Sequence, residues 1–350
     1  MTILWGNDSM QKVKIGIIGL GRLGMVHADH LVNLISDADV RAVCALDDDQ
    51  LAYAKKNFGV STYKNYKEMI DVEDIDAVVI VSPTGFHPEM TEYALNANKH
   101  VFCEKPLGLN MDEVDTMVRQ IKMHPKKIFQ LGFMRRFDSS YKHAKKIIDD
   151  GKIGKIIYIR AYGIDPISGM ESFKKFATDN DSGGIFVDMC IHDIDLIRWY
   201  IHDDPVQVWA LGNDIAAPEL KNIGEYETGV AMLKFKSGMI ATLLGGRHAA
   251  HGNQVEMEIM GSNGWIRVAQ EPNKDFLTLF TNEGVVKPSM QSFSERFSEA
   301  FIDELRNFVN NVKTGKNSDI SVDDGVKALK IAKACKESAD QGTLVDIKLS

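Results

Sequence analysis

The feature that most constrains the fold is a glycine-rich turn between an apolar strand and a helix. The stretch "VKIGIIGLGRLG" carries the spacing Gly19-x-Gly21-x-x-Gly24 at the end of an apolar run. In this spacing the first glycine allows a tight turn, the second lets the backbone approach a pyrophosphate, and the third lets the helix pack against the strand. N–H groups at the start of the helix, at Arg22 and Leu23, would face the phosphates. A turn without a ligand is the alternative, but the strand–turn–helix context favours a dinucleotide-binding site.

The first part of the chain alternates apolar strands with helical segments. Strands are predicted at "VKIGIIG", "VRAVCAL", "AVVIVS", "HVFCE" and "KIFQLGF", and the segments between them have helical spacing. Apolar strands joined by helices indicate a parallel sheet that is covered on both faces. We therefore predict a doubly wound α/β domain over residues 11–133, which binds the dinucleotide.

The remaining chain has a different pattern. One helix, "SSYKHAKKIIDDG", leads to the strand "KIIYIRAY", and a loop and a helix around "FVDMCIHDIDLIRWYI" follow. Five strands then succeed one another with turn signals and no helix between them, which predicts an antiparallel sheet. Two helices, at about 295–313 and 322–341, close the chain. We predict a second α/β domain over residues 134–350, built on a large, mainly antiparallel sheet.

Charge and composition argue against several classes of partner. The net charge of −8, without a long Lys/Arg run, argues against a nucleic-acid surface. We expect no membrane partner, because no apolar stretch reaches the roughly 18–20 residues of a membrane span. The first residues lack the apolar core of a signal peptide. The four cysteines are scattered and form no CxxC pair, so we expect reduced thiols and a cytoplasmic protein.

The acidic end of the second predicted strand indicates which dinucleotide is bound. Asp47 ends "VRAVCALD", where its carboxylate can accept hydrogen bonds from both adenosine ribose hydroxyls and would repel a 2′-phosphate. Asp48 and Asp49 add negative charge at this tip, which contains no arginine. We therefore predict NAD rather than NADP as the cofactor. The alternative is that Asp47 caps the next helix, for which Asp49 is the better predicted cap.

Two further strands end at the edge where a doubly wound sheet binds its ligands. They are "AVVIVSPTGFH" and "HVFCEKP". Pro106 stiffens the backbone of the lysine before it, so that the lysine ammonium can point at a reacting oxygen. A surface glutamate and lysine beside a loop proline is the alternative. The predicted cofactor contacts at this edge are Ser82, Thr84, His87, Glu104 and Lys105.

The segment "DMCIHDID" supplies the predicted base. Asp188 and His192 are four residues apart and Asp195 follows three later, so one helix would place all three on one face. Hydride transfer from a carbinol needs a base for the hydroxyl proton, and histidine has a suitable pKa. We expect His192 to be that base, with Asp188 orienting it or holding a substrate hydroxyl, while Lys105 stabilises the alkoxide. A satisfied core histidine is the alternative; a metal is not expected, because no further ligand cluster is obvious.

Three stretches together resemble the Gfo/Idh/MocA family of oxidoreductases. They are "GIIGLGRLG", "VSPTGFHPEMTEYALNANKHVFCEKPL" and "GGIFVDMCIHDIDL". The resemblance implies a Rossmann domain followed by an α/β domain with a large open sheet, and NAD(P)-dependent oxidation of a sugar, polyol or cyclitol. It also implies that the lysine of the Glu-Lys-Pro motif lies at the reacting carbon. The open sheet face is often used for oligomerisation in this family, so we expect a homo-oligomer, a tetramer or a dimer.

The stretch "QLGFMRRFDSSY" is similar to the inositol dehydrogenases within that family. By this resemblance Met134 and Arg135 reach the nicotinamide or the substrate. The alternative is that Arg135 and Arg136 only form interdomain ion pairs. The resemblance therefore implies a cyclitol substrate.

Two other segments depart from the inositol dehydrogenase pattern. Myo-inositol dehydrogenases tend to carry His and Asn where "YGIDPISG" has Gly163 and Asp165, and tyrosines where "HAAHGNQVE" has His251 and Asn253. These departures put the isomer in doubt and favour scyllo-inositol. The predicted substrate contacts are Lys105, Arg135, Asp165, Asp188, His192, His251 and Asn253.

The sequence therefore predicts an NAD-dependent inositol dehydrogenase that oxidises scyllo- or myo-inositol to an inosose. A dehydrogenase of an aldose or deoxy-sugar is the first alternative. A non-catalytic dinucleotide sensor is the second, and the joint presence of Lys105, Asp188 and His192 argues against it.

Overall fold

Six parallel strands form the first sheet of the computed structural model, which describes residues 12–179 and 182–349. The strand order β3-β2-β1-β4-β5-β6 is that of a doubly wound sheet and confirms the predicted Rossmann-type fold. The strands are β1 (Val13–Ile18), β2 (Ala38–Cys44), β3 (Ser61–Tyr63), β4 (Ala77–Ile80), β5 (His100–Glu104) and β6 (Phe129–Gly132). Sequence patterning missed β3, because three partly exposed residues give no apolar run.

Helices connect these strands as predicted. They are α1 (Arg22–Asn33), α2 (Asp48–Phe58), α3 (Tyr66–Val72), α4 (His87–Asn96) and α5 (Met111–Met123). Strands β1, β4 and β5 have near-continuous buried runs, as expected when helices cover both faces. The carboxyl ends of β1, β4 and β5 therefore meet at one edge of the sheet.

Seven strands form the second sheet, in the order β12-β11-β7-β10-β9-β8-β15. They are β7 (Ile156–Pro166), β8 (Pro205–Asn213), β9 (Thr228–Phe235), β10 (Ile240–Ala249), β11 (Gln254–Gly261), β12 (Trp265–Val268) and β15 (Val345–Asp346); β13 (Leu279–Thr281) and β14 (Gly284–Val286) pair separately. The sheet is mixed, because β7 and β10 run parallel. The predicted, mainly antiparallel sheet is confirmed, and its one parallel pair arises because β10 lies beside β7 as well as beside β9.

The remaining α-helices are α6 (Ser139–Asp149), α7 (Met170–Asp179), α8 (Ile185–Asp188), α9 (Ile191–Ile201), α10 (Phe293–Arg296), α11 (Ser298–Thr314) and α12 (Val322–Gln341). Helices α6, α8, α9 and α12 pack against the second sheet. Helix α11 is different, because its Leu305 and Phe308 share an apolar cluster with Ile15 and Ile17 of β1. The chain thus returns to the first sheet before it ends on the second.

A break separates α8 from α9, although the sequence predicted one helix through this region. The regular helical hydrogen-bond pattern is interrupted at Cys190. Its N–H donates to the carbonyl oxygen of Ile185, and its own carbonyl oxygen accepts a hydrogen bond from the N–H of Ile194 in α9. Cys190 packs where β10 has a glycine, since a Cβ at Gly245 would lie 2.7 Å from its sulfur. Asp188 and His192 are therefore not on the face of one helix, and this part of the prediction was wrong.

Within the described ranges, no helix has both the length and the apolar composition needed to cross a bilayer.

Candidate active site

The glycine turn has the geometry that its spacing predicts. Gly19 has φ +95°, and a Cβ there would lie 2.5 Å from the carbonyl oxygen of Val81. A Cβ at Gly24 would lie 2.1 Å from the carbonyl oxygen of Gly19, so strand and helix approach too closely for a side chain. A Cβ at Gly21 would meet no atom within 4 Å. The side of the turn at the start of α1 is therefore open, and a pyrophosphate fits there.

Arg22 and Leu23 stand in the first turn of α1, as predicted. The Arg22 guanidinium lies 5.0 Å from the ring centroid of Phe293, and Leu23 packs against the apolar core. Their side chains thus have protein partners, so the groups available to phosphate oxygens are their backbone N–H groups.

Asp47 is the N-cap of α2, and its carboxylate accepts a hydrogen bond from the Gln50 N–H at 2.9 Å. The prediction that Asp49 would be the better cap was wrong, because the helix begins at Asp48, two residues before a helix capped by Asp49 would begin. Asp47 is also exposed at the end of the second strand. The Asp47 carboxylate can therefore cap α2 and also accept the predicted hydrogen bonds from the ribose hydroxyls.

His87 joins the two loops that follow β4 and β5. Its ring nitrogens lie 2.7 Å from the Pro106 carbonyl oxygen and 2.9 Å from the Ser82 carbonyl oxygen. The residue is only 1% exposed, so the predicted direct contact with the cofactor is not supported. His87 instead positions Ser82, with Thr84 in the adjoining turn, and the backbone beside Lys105.

Glu104 points into the first domain. Its Oε1 accepts a hydrogen bond from His27 Nε2 at 2.7 Å, and its Oε2 accepts one from the Lys105 N–H at 3.1 Å. Gly132 makes room for this carboxylate, since a Cβ there would lie 2.9 Å from Oε2. The predicted cofactor role of Glu104 thus becomes one of holding the lysine backbone.

A second carboxyl group, that of Glu304 in α11, lies near Glu104 and is fully buried. Burial, together with the charge of Glu104, raises the pKa of Glu304 well above its usual range and so favours the neutral acid over the carboxylate. Among the residues that the structure describes, neither of its carboxyl oxygens has a hydrogen-bond partner. We call His27, Glu104 and Glu304 the Rossmann cluster.

Lys105 reaches across to the second domain. Its Nζ donates to the Asp188 carbonyl oxygen at 2.8 Å and lies 3.5 Å from Asp188 Oδ1. Arg247 Nη2 donates to Asp188 Oδ2 at 2.8 Å. Burial alone would raise the pKa of Asp188, but Lys105 and Arg247 outweigh it and lower that pKa. Asp188 is therefore an ionised carboxylate between two cations.

His192 lies at the start of α9, 7% exposed, with its ring centroid 6.1 Å from that of Phe133. Burial first, and then the charges of Lys105 and Arg135, lower the pKa of His192 well below 6.5. A neutral imidazole can accept a proton, as a base must. We call Lys105, Asp188, His192 and Arg247 the catalytic cluster.

The predicted relation between Asp188 and His192 is not observed. Among the described residues no hydrogen bond joins the two side chains, and Nδ1 of His192 is buried without a partner. The alternative of a satisfied core histidine is not supported either. Asp188 is oriented toward Lys105 and Arg247, so holding a substrate hydroxyl remains its predicted role.

Arg135 and Arg136 form buried ion pairs with α9, which lie within residues 134–350 and are not the interdomain pairs of the alternative interpretation. Arg135 pairs with Asp193, and Arg136 makes two contacts with Asp195, of 2.8 and 2.5 Å. A Cβ at Gly163 would lie 3.2 Å from Asp193 Oδ2, which explains the glycine there. The predicted substrate contact of Arg135 is therefore not supported, and Asp195 lies outside the catalytic cluster.

The structure brings two of the three remaining predicted substrate residues together. Asn253 Nδ2 donates to Asp165 Oδ1 at 3.1 Å, and Asn253 is fully buried. Burial raises the pKa of Asp165, against the charge of Arg247. His251 is exposed, and its ring contacts Gln254 at 3.0 Å, so the structure does not support its predicted substrate role.

Sequence reasoning missed Arg247, although a signal was present. The buried positions of β10 alternate through Ala241, Leu243 and Gly245. Arg247 continues this series, and side chains two apart lie on one face of a strand. The alternation therefore places a cation on the inner face, at the level of Asp188.

Comparison with known proteins agrees with this arrangement. The model of an oxidoreductase family with an NAD-binding Rossmann fold matches residues 13–133, and that of the GFO/IDH/MocA C-terminal domain matches residues 141–267. The chain is 34% identical to the myo-inositol 2-dehydrogenase of Thermotoga maritima, over 96% of this chain and 99% of the relative.

Two solved structures are similar over almost the whole chain. The myo-inositol 2-dehydrogenase of Lactobacillus plantarum is 64% identical with a TM-score of 0.95, over 97% of this chain and 100% of the other. The scyllo-inositol dehydrogenase of Lactobacillus casei, with bound NAD(H) and scyllo-inositol, is 45% identical with a TM-score of 0.93, over 96% and 99%. With its glycine turn, its Glu-Lys-Pro motif and both domain matches, the chain belongs to the Gfo/Idh/MocA family of oxidoreductases.

Proposed function

We propose that the protein is an NAD-dependent inositol dehydrogenase, which oxidises scyllo- or myo-inositol to an inosose. The observation that carries the proposal is the Lys105 ammonium, held by Asp188 at the carboxyl edge of the sheet beside the neutral His192. The three named relatives, all of them similar over almost the whole chain, support the cyclitol substrate.

The reaction divides between cofactor and protein. NAD, when bound, accepts the hydride that leaves the carbinol carbon. His192 accepts the hydroxyl proton, and the Lys105 ammonium stabilises the negative charge that develops on the oxygen. The products are the ketone, NADH and one proton, which His192 then releases. Asp188 keeps Lys105 in place and can accept a hydrogen bond from a neighbouring substrate hydroxyl.

The substrate pocket requires hydrogen-bonding groups of both kinds, because a cyclitol is a ring of neutral hydroxyls. Asp165, which accepts a hydrogen bond from the fully buried Asn253, joins the catalytic cluster in supplying them. A site that pairs each hydroxyl loses a partner when one is inverted, so one isomer should be clearly preferred. The departures from the myo-inositol pattern at Gly163 and Asp165 favour the scyllo isomer.

The proposal also assigns a function to each domain and a cellular compartment to the protein. Residues 11–133 would bind NAD, and residues 134–350 would bind the substrate; residues 11, 180, 181 and 350 lie outside the described ranges. The four buried free thiols support a reducing compartment such as the cytoplasm.

We also propose that the outer face of the second sheet forms a homo-oligomer, a tetramer or a dimer. Trp209 pairs with Met232 and Leu211 with Val230 across β8 and β9, and all four side chains are exposed. A contiguous apolar patch of this kind is typical of an interface. Sedimentation analysis should show an oligomer, and Trp209→Glu should shift it toward the monomer.

The test of the proposed activity is a substrate panel scored by NADH appearance. It would contain scyllo- and myo-inositol, an open aldose and a deoxy-sugar, each with NAD and with NADP. We expect turnover of one inositol isomer, and at least about tenfold higher kcat/KM with NAD, because Asp47 repels a 2′-phosphate. If only the aldose or the deoxy-sugar is oxidised, the protein is a dehydrogenase of that sugar and not of a cyclitol. No turnover of any alcohol would favour a dinucleotide sensor.

A further inference from the structure

Arg247 lies enclosed between the catalytic carboxylate and an aromatic ring. One edge of its guanidinium donates to Asp188 Oδ2 at 2.8 Å. Its Cζ lies 3.4 Å from the ring centroid of Phe173 in α7, so the guanidinium plane is held by a cation–π contact. The side chain is only 3% exposed. The guanidinium of Arg247 is therefore held in one orientation, and it fixes the orientation of the Asp188 carboxylate.

The two residues beyond Arg247 are more accessible. The side chain of Asp188 is 28% exposed and that of Lys105 is 17% exposed, so these are the groups that a substrate can meet. Lys105 approaches Asp188 from the first domain, while Arg247 approaches the opposite carboxylate oxygen from β10. Phe173, Arg247, Asp188 and Lys105 thus form a continuous chain from α7 to the carboxyl edge of the first sheet.

The charges around Asp188 come from several elements. Besides the two cations, the acidic groups that interact with it are Asp165 of β7 and Glu225 before β9. Burial raises the pKa of both Asp165 and Glu225, and Glu225 also contacts the Ser182 hydroxyl. Without Arg247, Asp188 would keep Lys105 as its cation while these two carboxyl groups remained nearby.

We propose that Arg247 is a positioning residue for hydride transfer, which holds Asp188 as an oriented carboxylate so that Asp188 in turn holds the Lys105 ammonium at the reacting oxygen. This inference rests on the role of Lys105 in the proposed function. Phe173 contributes by fixing the guanidinium plane. A charge-assisted hydrogen bond to a buried carboxylate fixes geometry as well as charge, and a small displacement of a reacting group can cost about 10²-fold in rate.

Removing the charge of Arg247 should change the pH dependence of kcat/KM in one direction. Removing the Arg247 charge raises the pKa of Asp188, since that charge is one of those that lower it. Asp188 would then become protonated at a higher pH and would release Lys105. In the parent protein His192 sets the acid limb of the kcat/KM profile, and Arg247 is not among the groups that shift its pKa. In the variant, protonation of Asp188 would add to that of His192 and move the acid limb to higher pH.

The test compares Arg247→Gln and Arg247→Lys with Arg267→Gln as the matched control. Arg267 is a half-exposed arginine of β12 that pairs with Glu258, away from the catalytic cluster. Arg247→Gln should lower kcat by about 10- to 100-fold with the NAD Kd within about twofold, and should shift the acid limb upward. Arg247→Lys keeps the charge and should recover a large part of both effects. Arg267→Gln should match the parent protein.

Phe173→Leu provides a second test that keeps Arg247 in place. It should lower kcat by about threefold and shift the acid limb in the same direction, by less than Arg247→Gln. If Arg247→Gln does not fold, Phe173→Leu decides the question alone, because Arg247→Lys is expected to resemble the parent protein. The proposal is overturned if folded Arg247→Gln or Phe173→Leu keeps the parent kcat and acid limb, or if kcat falls without any shift in that limb.

These measurements can be separated from the substrate question. They are made on whichever alcohol the parent protein oxidises in the panel. If that alcohol is not a cyclitol, the proposed function fails while the positioning role is still measured. If it is a cyclitol and the Arg247 variants behave like the parent, only the positioning role fails.

Discussion

Two polar clusters lie on either side of Lys105, and they differ in whether a carboxyl group in them has a cationic partner. In the catalytic cluster each carboxylate oxygen of Asp188 has a cationic partner, Lys105 on one side and Arg247 on the other. In the Rossmann cluster the Glu304 carboxyl, within the described part of the chain, has no hydrogen-bond partner and is kept neutral by burial. The backbone N–H of Lys105 belongs to both regions, because it donates to Glu104.

The difference shows what makes a buried group available for chemistry. A carboxylate that is compensated by two cations stays ionised and oriented when the site is desolvated. A carboxyl group without a cation becomes protonated instead, since burying an unpaired charge is costly. We therefore assign the reaction to the catalytic cluster and expect the Rossmann cluster to affect stability.

Breaking the catalytic cluster at its ammonium should have the largest effect. Lys105→Ala removes the group that stabilises the alkoxide, while Asp188 keeps Arg247 as its partner and the fold is retained. We expect kcat to fall by about 10²-fold or more, roughly 2.7 kcal/mol, with NAD binding maintained. Steady-state kinetics and NAD titration measure both. Lys122→Ala, at an exposed lysine of α5, is the control; a near-normal kcat in Lys105→Ala would remove the lysine from the mechanism.

A change in the Rossmann cluster should alter stability and its pH dependence. The pKa of Glu304 is raised in the folded protein, so no penalty exists below the unfolded pKa of about 4.5, and the penalty grows as pH rises toward the folded value. Glu304→Gln is isosteric with the neutral acid and should gain about 1–3 kcal/mol relative to the parent at about pH 8, and little at about pH 5.

Urea unfolding at the two pH values measures this gain. Glu299→Gln, at an exposed glutamate of the same helix, should show no such pH-dependent difference. Equal effects of Glu304→Gln at both pH values would mean that Glu304 does not titrate abnormally. A large loss of kcat in Glu304→Gln would mean that the Rossmann cluster takes part in the reaction.

The smallest effect should be the position of the acid limb in the parent protein. Because burial, Lys105 and Arg135 lower the pKa of His192, the base stays neutral at pH values where a free histidine begins to protonate. We expect kcat/KM to stay level above about pH 6.5 and to fall only below it. The contribution of His192 to stability should likewise be lost as pH falls from about 6.5 toward the lowered folded pKa. An acid limb above that value would contradict a neutral, buried base.

Local features of the molecule were predictable from the sequence. The glycine turn, five of the six strands of the first sheet and the Glu-Lys-Pro edge depend on short-range patterns, and the structure has them where predicted. Lys105 and Asp188, both predicted as active-site residues, lie in contact, because a strand end and the segment from "DMCIHDID" converge there.

Features that depend on tertiary register could not be predicted. The break between α8 and α9 accompanies the packing of Cys190 against Gly245, which lies on a distant strand. The alternation along β10 indicates that Arg247 faces inward, but its contact with Asp188, in place of the predicted one with His192, depends on where β10 lies in the sheet. Glu304 became part of the Rossmann cluster because α11 returns to the first sheet, which its amphipathic pattern alone does not indicate.

The most direct test of the account uses the two buried histidines, one from each cluster. His192→Gln and His27→Gln would be compared with the parent in single-turnover experiments at saturating NAD, with NADH formation followed after mixing with the preferred substrate. We predict that His192→Gln lowers the hydride-transfer rate by about 10²-fold or more, while His27→Gln keeps it within about threefold, because only the first histidine accepts the substrate proton. Equal losses in the two variants, or a larger loss in His27→Gln, would contradict the assignment of the reaction to the catalytic cluster.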